Sequence, residues 1–131
     1  MSSDRRTISG HSPFEQSFGY SRAVVVDGRV IVAGTAPIPA DGSPPPDGPF
    51  DQAMLCLELI GEALTKAGAS FADVVRTRMF LTNPDNWSEV ARAHGAVFAG
   101  IRPAATAVVV ATLLDPAWLV EIEAEAVLPR T

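Results

Sequence analysis

At 131 residues and 47% hydrophobic side chains, the chain is long enough for one domain with a buried core and too apolar to be disordered. Ten basic against fifteen acidic residues leave a formal charge of −5. With Lys66 as the single lysine there is little to neutralise phosphates, which argues against charge-driven nucleic-acid binding.

No apolar run of about 18 residues escapes charge or proline, so no membrane span is expected. The opening MSSDRRTISG has basic residues but no apolar stretch after them, which argues against a signal peptide. The lone Cys56 cannot form an internal disulfide and suits a reducing cytoplasm.

In chain order, residues 1–21 are expected to be loosely ordered, apart from a short strand around Arg6–Ser9. Ala23–Val26, Asp27-Gly28 and Arg29–Ala33 then spell a β-hairpin, two Val/Ile-rich runs around the preferred two-residue turn. Residues 36–49 hold Pro44-Pro45-Pro46 and read as a Pro-rich loop. Phe50–Ala67 repeats Ala53, Leu57, Ile60 and Leu64 at helical spacing, with Gly68 as its stop. Ser70 and Asp73 predict a capped turn into a strand over Val74–Leu81. Asn83-Pro84 ends that strand, and Asp85 or Asn86 is placed to cap a second helix, Trp87–Ala99, with Val90, Ala93, His94 and Val97 on one face. Two terminal strands complete the order ββ-α-β-α-ββ, an α+β domain with two helices on one face of a mixed sheet.

The first terminal strand, Ala104–Thr112, has no charge on either face, so both faces should be covered. Two helices cover one face only, and self-association is the direct way to cover the other. The last strand alternates: Val120, Ile122, Ala124 and Ala126 point one way, and Glu121, Glu123 and Glu125 the other. Periodicity alone reads those carboxylates as a solvated acidic face.

Taken together, Arg102-Pro103-Ala104, the Val-rich strand, Leu113-Leu114-Asp115-Pro116 and Val120-Glu121-Ile122-Glu123 resemble the C-terminal signature of the RidA/YjgF family, whose members are also described as L-PSP endoribonucleases. Tyr20-Ser21-Arg22-Ala23-Val24 resembles the family's Tyr-Ser-Gln-Ala-Val, and Ala33-Gly34-Thr35 its Ser-Gly-Gln. The resemblance covers about Tyr20 to Val127. It implies the chorismate mutase-like YjgF fold and a homotrimer with sheets inward, helices outside and ligand clefts between subunits. It further implies cofactor-independent hydrolysis of small imines or enamines such as 2-aminoacrylate.

In that family the signature reads Pro-Ala-Arg, and its arginine holds the substrate carboxylate; here the position is Ala105. The expected substrate is therefore a small imine or enamine other than standard 2-aminoacrylate. A non-catalytic trimeric small-molecule binder or regulatory protein is the alternative. Carried over residue by residue, Glu121 matches the cleft carboxylate, a candidate for acting on water. Tyr20 matches the tyrosine that closes over ligand, Arg22 stands where Gln is common, and Gly34 lets backbone approach the ligand.

Each has a plainer reading too: Tyr20 as an aromatic plug, Arg22 as a surface arginine, Gly34 as a strand-end glycine. Arg76 and Arg78 share a strand face and read as ion-pair partners of the acidic strand. Were that face to line the cleft, Arg78 would be free to bind a carboxylate. His94 is either a hydrogen-bonded helix histidine or an acid/base. Two distant histidines and one cysteine do not make a zinc site, Cys56 reads as core, and no nucleotide or nucleophile-elbow motif is present, so no metal or cofactor is expected.

Overall fold

The computed structural model describes residues 5–130. Six strands form one mixed sheet in the order β1-β2-β3-β6-β4-β5, with β4 and β5 parallel and the other neighbours antiparallel. The strands are β1 (Arg6–Ile8), β2 (Ala23–Val26), β3 (Arg29–Thr35), β4 (Val74–Leu81), β5 (Ala104–Val109) and β6 (Val120–Val127). Two long helices, α2 (Pro49–Ala67) and α3 (Trp87–Phe98), pack against each other over one face, and a short α1 (Phe14–Phe18) precedes β2. This is the α+β layout expected from the sequence, with α1 as an addition.

Local chemistry accounts for the turns. Asp27 (φ 50°) and Gly28 (φ 76°) both take positive φ, as a type I′ hairpin turn requires. Gly68 (φ 90°) ends α2 in the left-handed conformation, with its N–H and that of Ala69 reaching back to the last turn. The carboxylate of Asp73 accepts from both the N–H and the hydroxyl of Ser70, closing the predicted turn before β4.

Four readings need adjustment. The short strand expected around Arg6–Ser9 is present as β1, paired on β2, but the rest of the segment read as loosely ordered carries the helix α1; residues 1–4 lie outside the described residues. Pro49 belongs to α2 as its first residue, where its missing N–H costs no hydrogen bond. Asn86 holds the N-cap position of α3 as expected, but its side chain makes no cap hydrogen bond; the side chain of Asn83 caps the preceding 3-10 turn, Pro84–Asn86, accepting from the Asp85 N–H at 2.8 Å. The expected cover on both faces of Ala104–Thr112 is not provided within one chain, because β5 is an edge strand with all six residues exposed.

The core lies between the sheet and α2/α3. Leu57, Ile60 and Leu64 of α2 are buried, and meet Val30, Val32, Met79, Leu81, Val120 and Ile122 of the sheet. One buried polar group, Gln52, ties the Pro-rich loop to this core. Its amide donates to Pro46 O and Ala117 O, each at 3.0 Å, and its carbonyl accepts from the Leu119 N–H at 2.7 Å. Leu119 thus gives its N–H to α2 one residue before β6 begins.

Gln52→Leu keeps the volume and strands these three backbone groups. We expect a loss of about 2–4 kcal/mol in urea unfolding, since each buried orphan costs about 1–3 kcal/mol and some will rehydrate. A loss under about 0.5 kcal/mol would show that the clamp is not structural.

Candidate active site

The sheet face away from α2 and α3 carries the charged residues. Register places Glu125 beside Arg76, Glu123 beside Arg78 and Glu121 beside Phe80. Two of the three carboxylates are neutralised. Arg78 donates to Glu123 at 2.8 Å and lies 3.7 Å from Glu125, and Arg29 donates to Glu125 at 2.6 Å. Among the described residues Glu121 makes neither an ion pair nor a hydrogen bond. It is half-buried, and burial, helped by the nearby Glu123, pushes its carboxyl above the usual range while Arg22 pulls it back.

The space Glu121 occupies is cleared by a glycine. The β3–β6 register shifts between Val32 and Thr35, a bulge that sets Ala33 and Gly34 out of the regular ladder. A Cβ on Gly34 would lie 2.6 Å from Glu121 Oε2, although the backbone there is not in the positive-φ region. Gly34 thus leaves room for the Glu121 carboxylate in its present position, a reason neither sequence reading offered.

Arg22 completes the group. Its Nη2 donates to Gly34 O at 2.5 Å, and its guanidinium carbon lies 5.8 Å from the centroid of the Tyr20 ring. Its stem runs past Gly10, where a Cβ would lie 2.9 Å from Arg22 Cδ, and the Gly10 N–H is held by Glu15 Oε2 at 2.9 Å. Gly10 and Glu15 were missed in the sequence, because nothing in local periodicity ties residues 10 and 15 to residue 22.

Tyr20, Arg22, Gly34 and Glu121 therefore come together, and the remaining candidates do not join them within one chain. Arg78 shares the open face but is spent on Glu123 and Glu125. His94 lies under the opposite face, bonded through Nε2 to Thr77 Oγ1 at 2.8 Å, and burial holds its imidazole below the usual value. Ala105 is level with Thr77 and lines an apolar recess of about 540 Å³ with Ala107, Met79, Leu81, Pro84 and Trp87. Cys56 is buried in α2, and desolvation pushes its thiol far up, out of reach of a thiolate. Among the described residues no cluster of His, Cys, Asp and Glu side chains could hold a metal ion, and no helix is long and apolar enough to cross a membrane.

Comparison with known proteins supports the fold and identifies the family. The profile of the family described as Endoribonuclease L-PSP matches residues 10–128. A 2-iminobutanoate/2-iminopropanoate deaminase of Rattus norvegicus is 35% identical over 129 residues, 97% of this chain and 93% of its own length. An uncharacterised Streptomyces coelicolor protein is 38% identical over 122 residues, 93% and 90% of the two chains. The crystal structure of a Mycobacterium tuberculosis member of the YjgF/YER057c/UK114 family superposes with a TM-score of 0.87 at 42% identity, covering 95% of this chain and all of the other.

Two outcomes follow from the crowding at Glu121. Gly34→Ala should fold, because the clashing atom is the end of a flexible side chain, but should expel the carboxylate from its present position. Comparing Glu121 Cδ chemical shifts in the two proteins checks this, and identical shifts would refute the close approach. The raised carboxyl also sets a sign: a group whose folded pKa exceeds its unfolded value stabilises below the unfolded pKa and loses that contribution as pH rises through the folded one. Glu121→Gln should therefore match or exceed the wild-type melting temperature at pH 7, with any advantage vanishing toward pH 4. A Glu121→Gln protein that melts lower at pH 7 would mean the carboxylate is stabilised, not strained.

Proposed function

The chain belongs to the Endoribonuclease L-PSP family, the RidA/YjgF proteins, and from that premise we propose that it is a cofactor-independent deaminase of a small imine or enamine. The observation that carries the reading is the unpaired, half-buried Glu121 beside Arg22 and Gly34, on a strand whose other two carboxylates are neutralised.

The chemistry needs no cofactor. A water oxygen bonds to the C=N carbon as the π pair moves to nitrogen, and Glu121 accepts the water proton and returns it to nitrogen. The added hydroxyl then passes its proton through Glu121 to the same nitrogen, the C–N bond breaks as the C=O forms, and ammonia leaves with that pair. An enamine enters the same path after tautomerising. A carboxylate with a raised pKa is a better proton acceptor than an ordinary one and can return the proton it takes, which is what general acid/base work asks for. The ion-paired Glu123 and Glu125 are poorly placed for that exchange.

The site takes its final form between subunits of a homotrimer on this reading. The open sheet face and the exposed β5, with Val108 and Val109 at 43% and 52% exposure, are the surfaces such an assembly would cover. At position 105 a methyl group offers no grip on a carboxylate, so compact 2-aminoacrylate, held in the manner of Pro-Ala-Arg relatives, is not the expected substrate. The apolar recess around Ala105 also suits the second reading, a trimer that binds a small molecule without transforming it.

Ammonia release from imines generated in situ by an amino-acid oxidase separates the two. Glu121→Gln should lower kcat by about 10²–10⁴, the usual worth of a positioned acid/base, with little effect from Glu123→Gln. Equal loss from both variants, or no activity above buffer across a panel of amino acids, favours the binder. Sedimentation equilibrium should give three times the 13.8 kDa chain mass, and a monomer would remove the cleft altogether.

A further inference from the structure

We propose that Arg22 is the substrate-binding cation of this site: its guanidinium takes the carboxylate of a compact α-imino acid while Glu121, across the Gly34 bulge, faces the nitrogen. This deepens the deaminase reading and rests on it for the identity of the site. The geometry comes from the chain itself. Arg22 and Glu121 carry opposite charges on either side of one glycine, yet they do not pair. Each keeps unused capacity. Glu121 accepts no hydrogen bond among the described residues, and Arg22 uses one of its five N–H groups, on Gly34 O. Its Nε is buried with no partner at all, a donor whose cost is recovered only when an acceptor arrives or the head group turns.

A cation and an anion held close but out of contact would collapse onto each other if their tethers allowed it. Here the tethers do not. The Arg22 stem is threaded past Gly10, which Glu15 fixes through its N–H, and its head is tied to Gly34 O and lies against the Tyr20 ring. Glu121 is fixed by β6 pairing with β3 and β4 on either side. Each is left to meet the opposite group of one ligand, a carboxylate for Arg22 and a nitrogen donor for Glu121. Arg78 and Arg29 are committed to β6 carboxylates and Arg92 to Glu89 and the Phe50 ring, whereas Arg76, whose Nε likewise has no partner, donates to Thr106 Oγ1 at 3.4 Å and lies away from Glu121 in the register. Both Arg22 and Glu121 remain partly exposed, so a ligand can reach them.

The test measures binding apart from turnover, by NMR titration of the full-length protein with three probes. 2-Aminobutanoate carries both groups, 2-aminobutanamide lacks the carboxylate, and 2-oxobutanoate lacks the nitrogen. Wild type should bind 2-aminobutanoate at least tenfold more tightly than its amide, and added salt should erode that preference. Arg22→Gln should bring the ratio near one by weakening the acid alone, and Arg22→Lys should keep part of the preference, since it keeps the charge and loses the fork. Glu121→Gln should weaken the two amines and spare 2-oxobutanoate. A ratio near one in wild type, or an unchanged ratio in Arg22→Gln, overturns the proposal; if Arg22→Gln does not fold, the wild-type ratio and Arg22→Lys still decide it. Loss of ammonia release with the ratio intact would instead overturn the deaminase reading and leave Arg22 in place as a ligand anchor.

Discussion

The open face of the sheet is governed by the alternation of β6 at its centre. With β3 on one side and β4 on the other, β6 has no freedom to slip, because a shift of one residue would drive three carboxylates into the core and four apolar side chains out. The register that buries Val120, Ile122, Ala124 and Ala126 therefore forces Glu121, Glu123 and Glu125 onto the uncovered face. Like charges two residues apart on one strand repel, and neighbouring strands answer with Arg29 and Arg78. The answer stops short of Glu121, whose cross-strand neighbour on β4 is Phe80. One position in a neutralised row is left unneutralised, and the candidate chemistry sits there.

Missing atoms set the rest of the site. A regular β3 would carry a side chain toward Glu121; the bulge and Gly34 remove it, at the cost of local ladder bonds that Ala33 replaces by donating to Arg22 O. Gly10 performs the same service for the Arg22 stem. Gly10 lies between β1 and α1, so the N-terminal strand and short helix support the charge of Arg22, which follows α1 in the chain. Their packing is light, since α1 buries none of its residues and Phe14 and Phe18 are 45% and 65% exposed. Elements held this loosely open at low free-energy cost, which makes the Arg22 side of the site its softer wall.

Long, periodic elements were legible in the sequence. α2, α3 and β4 fall within a residue of their expected bounds, because Leu57, Ile60 and Leu64 or the alternation of β4 report burial directly. The Asp27-Gly28 turn was legible for a different reason, since few residue pairs tolerate its backbone. What escaped were contacts between residues far apart in the chain. Gln52 reads as an ordinary polar residue on an amphipathic helix, yet it is buried and closes two loops. Gly34 was visible as a glycine, but the carboxylate that needs it is 87 positions away in the sequence. Family resemblance located Tyr20, Arg22, Gly34 and Glu121 as candidates, and the fold brings those four together. It could not show that Arg78, equally attractive by charge, is already occupied.

The choice among the three β6 carboxylates comes down to which competing effect wins at each. At Glu123 and Glu125 a guanidinium lies in direct contact with the carboxylate. At Glu121 burial dominates, and the charge of Arg22, held out of contact, offsets it only in part. Each unit by which a carboxyl pKa rises toward neutrality represents about 1.4 kcal/mol less preference for the charged form. A carboxylate kept in that intermediate condition gains from any ligand or water that donates to it, whereas an ion-paired one must first give up its arginine. Arg22 thus offsets the burial of Glu121 in part without contacting it. The separation enforced by Gly10 and Gly34 is the structural variable on which that balance rests.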